Sequence, residues 1–247
     1  MKKLFLLTGL FLIGITASSQ ENRFEKAVFN GSDGKLNYRS LTPDANPNRT
    51  FPLVIFLHGS GERGDDNEAQ LKWGALQFAT DVNMKNYPSY VIAPQCPAND
   101  QWATYDGKYQ KEPTKPMKLL RELIKSFIEK NNVDENRIYI TGLSMGGFGT
   151  FDALARYPDL FAAGIPVCGG GDPTTGELMK DIPIWIYTGA EDDVVPPQRS
   201  IEMLNAIMDA GARPGYTQLP EVGHFSWLAA YSDPLLFEWL FRQRKDN

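Results

Sequence analysis

The chain has 247 residues, 42% of them hydrophobic, which is enough for one α/β domain with a sizeable core. Its formal net charge of −5 comes from interspersed acidic and basic side chains, so it offers no basic face for nucleic acid or an anionic membrane. Two cysteines make no disulfide framework, and two histidines without a Cys/His cluster point away from a catalytic zinc site; no metal or organic cofactor is expected.

The N-terminus reads as a secretory signal peptide over residues 1–19. Met1-Lys2-Lys3 is a basic start, 4–16 is apolar, and Ala17-Ser18-Ser19 offers small residues for cleavage before Gln20. The apolar run falls short of the ~20 residues that a membrane span needs. A secreted or periplasmic protein is expected, free of the membrane once cleaved, with residues 20–247 forming a single domain. Strands are predicted at 24–29 and 35–41 around the turn Gly31-Ser32-Asp33-Gly34, and at 51–57 after a loop. The spacing over 67–80 predicts a helix. A strand at 90–93 ends at Pro94, and 95–115 is a long loop. Pro116 opens a helix whose apolar face runs from Met117 to Ile128. Strands follow at 137–141, 163–167, 182–188 and 216–219, and helices at 147–157, 197–210 and 233–243. Strands alternating with helices imply βαβ units and a mostly parallel sheet covered on both faces.

Gly142-Leu143-Ser144-Met145-Gly146 lies between the strand at 137–141 and the helix stopped by Pro158. A G-x-S-x-G turn in that context is a nucleophile elbow, in which small residues must flank the serine because strand and helix nearly touch. A serine hydroxyl needs a base to act as a nucleophile. His224, in the loop after the last strand, is the candidate. His58 follows the first core strand and precedes Gly59-Ser60-Gly61, where it would shape a turn. Between Ser144 and His224, the strand ending at Thr188 runs into Glu191-Asp192-Asp193, three candidate acids. The order serine, acid, histidine is that of α/β-hydrolases.

The chain resembles the α/β-hydrolase superfamily, in particular secreted esterases related to the phospholipase/carboxylesterase and dienelactone-hydrolase families. The resemblance rests on Leu57-His58-Gly59-Ser60-Gly61-Glu62-Arg63-Gly64, Ala93-Pro94-Gln95-Cys96-Pro97, the elbow, Pro166-Val167-Cys168-Gly169-Gly170-Gly171-Asp172, the acid loop, and Gly223-His224 with Trp227. It implies an α/β-hydrolase fold with a mostly parallel central sheet. It also selects Asp192 as the acid, through the pattern Gly-x-x-Asp-x-Val-Val-Pro. The oxyanion hole would use the backbone N–H of Met145 and that of Ser60, with Gly61 as the alternative. Glu62 and Arg63 are expected to form a salt bridge that stiffens this loop. Trp102, at the C-terminal edge of the sheet, and Trp227, close to the base, are candidate substrate-binding residues.

The expected protein is a secreted serine ester hydrolase, Ser144–His224–Asp192, acting on small or carbohydrate-linked acyl or aryl esters. Trp102, Tyr105 and Tyr109 in a polar loop suit stacking on sugar or phenolic rings. The alternatives are a peptidase on the same triad and a non-catalytic secreted binding module. In the strand order expected for this fold, two strands separate Cys96 from Cys168. At ~4.8 Å per strand that is roughly 14 Å, beyond the ~7 Å Cα limit for a disulfide, so both thiols should be free.

Overall fold

The computed structural model describes residues 19–44, 46, 48–104, 106 and 108–245. The signal peptide expected over 1–19 therefore lies outside the described residues save for Ser19, as does Tyr105.

Eight strands form one sheet in the order β1-β2-β4-β3-β5-β6-β7-β8. β1 (Phe24–Gly31) and β2 (Gly34–Leu41) make an antiparallel hairpin closed at Gly31 and Gly34. β2 runs antiparallel to β4 (Tyr90–Gln95). From β4 onward every neighbouring pair is parallel: β3 (Phe51–Leu57), β5 (Val133–Leu143), β6 (Ala163–Val167), β7 (Trp185–Gly189) and β8 (Gly215–Leu219).

β3 is buried along its whole length, as a central parallel strand must be when helices cover both faces. Its side chains alternate between two cores. Leu53, Ile55 and Leu57 point to one, with Met117, Leu120, Leu123 and Phe151; Val54 and Phe56 point to the other, with Tyr139, Tyr231, Phe237 and Leu240. Helix α2 (Lys115–Lys130) supplies the first face. Thr114 caps it by accepting from the Met117 N–H, and Pro116 lies in its first turn. α3 (Met145–Arg156) and α4 (Gln198–Asp209) continue that face, and α5 (Trp227–Ala230) and α6 (Pro234–Arg242) lie on the other.

The segment 67–80 departs from expectation. It forms two 3-10 turns, Ala69–Leu71 and Ala75–Ala79, and not one α-helix. Gly74 stands between them at φ 75°, and a Cβ there would meet the Tyr231 ring at 2.6 Å. The positive φ breaks the helical path. The helix at this point is the shorter α1 (Asp81–Asn86), capped by Thr80. Cys96 follows β4 and Cys168 follows β6, with β3 and β5 between them in the sheet. Both are buried and unbridged.

Candidate active site

β5 leads into Ser144, and α3 starts at Met145. Ser144 has φ 54° and ψ −116°, a strained conformation that costs on the order of 1–3 kcal/mol. The turn can form only because its flanks lack side chains. A Cβ on Gly146 would stand 1.9 Å from the Leu57 carbonyl oxygen, and one on Gly142 would stand 2.5 Å from the Gly146 oxygen. The Ser144 N–H donates to the Val167 carbonyl at 2.9 Å, tying the turn to β6.

Two further loops converge on the Ser144 hydroxyl. His224 opens a 3-10 turn (His224–Ser226) soon after β8, and Asp192 follows β7. Backbone bonds from Ala190 N–H to Leu219 and from Glu191 N–H to Val222 zip these loops together, both at 2.9 Å. Gly189 permits the approach, since a Cβ there would lie 2.2 Å from the Gly223 oxygen.

The result is a continuous chain of contacts. His224 Nε2 lies 2.9 Å from Ser144 Oγ, and Nδ1 lies 2.8 Å from Asp192 Oδ2 and 3.0 Å from Oδ1. Asp192 Oδ1 also accepts from the N–H groups of Val194 (3.0 Å) and Val195 (2.8 Å), which fixes the plane of the carboxylate. A carboxylate only accepts, so Nδ1 carries the proton and Nε2 is left as an acceptor facing the serine. Glu191 and Asp193 are exposed, whereas Asp192 is buried.

His58 is held in a different way. Its Nδ1–H donates to the Gly59 oxygen at 2.6 Å, and Nε2 accepts from the Cys96 N–H at 2.9 Å. The ring thus stitches the loop after β3 to the end of β4. Complete burial lowers its pKa from 6.5 to about 4. The unfolded ring takes a proton near 6.5 and the folded one only near 4. Unfolding in that window therefore takes up a proton, so His58's contribution to stability is full above about pH 6.5 and is lost as pH falls towards 4. With only two histidines in the chain, imidazole NMR signals can be assigned by a single substitution. The His58 signal should keep its neutral-ring shift down to about pH 4; titration at an ordinary histidine pH would contradict this burial.

Ser60 is exposed at the start of a 3-10 turn (Ser60–Glu62). A Cβ on the preceding Gly59 would come within 3.7 Å of Ser144 Cβ, so this loop borders the serine. Met145 is the first residue of α3, where N–H groups lack partners within the helix and the helix dipole is positive. Ser60 thus belongs to the loop that borders Ser144, and Met145 is its neighbour in the chain.

Three expectations are corrected. Trp102 is not at a substrate surface: it is wholly buried, packs edge-on against His58 at 5.4 Å, and donates its indole N–H to the His58 carbonyl at 3.2 Å. Trp227 is only 5% exposed and meets the His224 ring edge-to-face at 5.2 Å, so it braces the base and presents little surface outward. Among the described residues Glu62 and Arg63 form no ion pair. Arg63 instead donates to the carbonyls of Ser60 (2.9 Å) and Asp100 (3.3 Å), while the Glu62 side chain is buried. Burial pushes the Glu62 carboxyl above its ordinary range. Tyr109 carries the Arg156 guanidinium on its ring at 4.4 Å.

The aromatic surface beside the base comes from other residues. Phe225, directly after His224, is 56% exposed, lies 4.7 Å from Trp227, and meets Trp73 edge-on at 6.1 Å. Lys72 lies 5.0 Å above the Trp73 ring. Leu228, three residues after Phe225, and Val194, two residues after Asp192, are further exposed apolar side chains. The position of Phe225 next to the candidate base was a readable signal; Trp73 was hidden in a segment read as a helix.

The mostly parallel sheet and its strand–serine–helix turn define the α/β-hydrolase class. Residues 44–233 match the phospholipase/carboxylesterase family, and the chain belongs to it. A thermostable esterase of known structure is 39% identical and superposes with a TM-score of 0.86 over 91% of this chain and 64% of its own. A ferulic acid esterase structure shares the fold at 17% identity, with a TM-score of 0.68 over 88% of this chain and 96% of its own. Poly(3-hydroxyalkanoate) depolymerase C of Paucimonas lemoignei is 26% identical over 176 residues, 69% of this chain. The bifunctional acetylxylan esterase/xylanase XynS20E of Neocallimastix patriciarum is 24% identical over 148 residues, 60% of this chain. The matched regions span 40% and 20% of these two relatives' own lengths.

Proposed function

We propose that this chain is a secreted or periplasmic serine ester hydrolase acting on small or carbohydrate-linked acyl or aryl esters. The observation that carries the reading is the continuous Ser144–His224–Asp192 contact chain, with 2.9 and 2.8 Å links. His224 Nε2 takes the Ser144 proton as the serine attacks the ester carbonyl. The N–H groups of Met145 and Ser60 receive the oxyanion. Asp192 keeps the ring oriented and stabilises it as an imidazolium. The same ring then protonates the departing alcohol, and water repeats the cycle on the acyl-enzyme. The cycle draws on side chains and backbone alone.

The substrate class is supported by the acetylxylan esterase among the relatives and by the aromatic surface at Trp73 and Phe225. A rigid ring beside the base suits a sugar or phenolic group. A second reading, hydrolysis of an apolar polyester, is favoured by the exposed Val194, Phe225 and Leu228 and by the depolymerase relative. Specificity constants for acetylated and feruloylated oligosaccharides and for 3-hydroxybutyrate oligomers separate the two. For Phe225→Ala we expect a selective loss of about tenfold on the feruloyl substrate, the equivalent of one aromatic contact of ~1–1.5 kcal/mol. Preference for the hydroxybutyrate oligomers would favour the second reading, and a uniform loss would remove Phe225 from substrate recognition.

A further inference from the structure

Beneath the contact chain lies a polar side chain that the proposed ester cleavage does not use. Cys168, just past the end of β6, is wholly buried, with a backbone φ of +40°. Its Sγ, an Asp192 carboxylate oxygen and a His224 ring nitrogen all lie within 4.8 Å of one another. Ser226 is equally buried, and its hydroxyl has no hydrogen-bond partner among the described residues.

One sulfur, one imidazole nitrogen and one carboxylate oxygen are a donor set for a thiophilic divalent cation. Tetrahedral ligation with bonds of about 2.0–2.3 Å places donor atoms roughly 3.3–3.7 Å apart. Reaching that from within 4.8 Å needs a contraction of the order of an ångström, within the range of side-chain rotation. A thiolate and a carboxylate would neutralise the double charge. The sequence concealed this grouping, because Cys168, Asp192 and His224 come from three separate strand-end loops.

We propose that Cys168, Asp192 and His224 form an inhibitory site for Zn²⁺ or Cd²⁺. Binding forms a metal–sulfur bond and releases the thiol proton to solvent. The cation takes a lone pair of the His224 ring. Asp192 lies on the Nδ1 edge of the ring, so the cation binds there and replaces the Nδ1 proton, leaving the neutral ring with its proton on Nε2. In that form Nε2 is a donor and does not accept the serine proton.

Cd²⁺ titration tests this without relying on turnover, because a cadmium–thiolate bond has its own ultraviolet charge-transfer band. The wild type and Cys96→Ser should show a saturable band at one equivalent, and Cys168→Ala should not. In the wild type, Cd²⁺ should move the His224 imidazole signals and leave those of His58 in place. Where ester turnover is measured, Cys168→Ala should raise the inhibitory Zn²⁺ concentration about tenfold or more, and a chelator should restore the wild-type rate. A band that follows Cys96, an unmoved His224 signal, or equal inhibition of wild type and Cys168→Ala would each overturn the proposal. The absorption and NMR outcomes stand whether or not the protein cleaves esters.

Discussion

Ser144→Ala is expected to lower ester turnover by about 10³-fold or more while leaving the protein folded. The folding half follows from the contacts. Ser144 Oγ makes no capping bond to α3, and its hydrogen bond runs to His224 Nε2. The φ of 54° is imposed by the close approach of β5, α3 and the Leu57 carbonyl, and alanine meets the same constraint as serine. A melting temperature within a few degrees of wild type is therefore expected alongside the lost activity. A fluorophosphonate probe should label the wild type once, and peptide mapping should place the adduct on Ser144. Ser60 is the informative control, because it is an exposed serine on the bordering loop. An adduct on Ser60, or undiminished turnover in Ser144→Ala, would overturn the assignment of the nucleophile.

The fold was legible where local pattern and packing agreed. The all-apolar run of β3, the Pro116-led amphipathic helix and the glycine-flanked turn at Ser144 each declare one conformation. The serine and the histidine beside it were legible because the chain holds only two histidines and because strand ends mark where side chains must converge. The identity of the acid was another matter. Three consecutive acidic residues follow one strand, and only the folded loop, in which the Val194 and Val195 amides turn one carboxylate inward, distinguishes them geometrically. The segment 67–80 misled because its apolar spacing suits a helix, while Gly74 breaks the path to admit Tyr231 from a distant part of the chain. Trp102 misled for a related reason. A polar loop at the ligand-binding edge suggests an exposed ring, yet the ring is the plug that seats His58. Which face of a loop is covered is decided by long-range contacts that no local pattern records.

Asp192→Asn should be nearly as damaging as loss of the serine, at about 10³–10⁴-fold in kcat, while Asp193→Asn should stay within a few-fold of wild type. The argument is one of donors and acceptors. The N–H groups of Val194 and Val195 both point at Oδ1, so an asparagine will settle with its carbonyl oxygen there. Its amide NH₂ then occupies the Oδ2 position, 2.8 Å from His224 Nδ1. That group donates, so Nδ1 must become an acceptor and the ring proton moves to Nε2. Nε2–H faces Ser144 Oγ as a donor and cannot take its proton. Folding should survive, because the two amide bonds to Oδ1 are retained. Asp193 is exposed, and the acid position beside His224 is filled by its neighbour. Turnover and phosphonate labelling rates for the two variants, with melting curves alongside, give the comparison. Equal and mild effects would mean that the carboxylate acting on His224 comes from elsewhere in the loop, with Glu191 the next substitution to make.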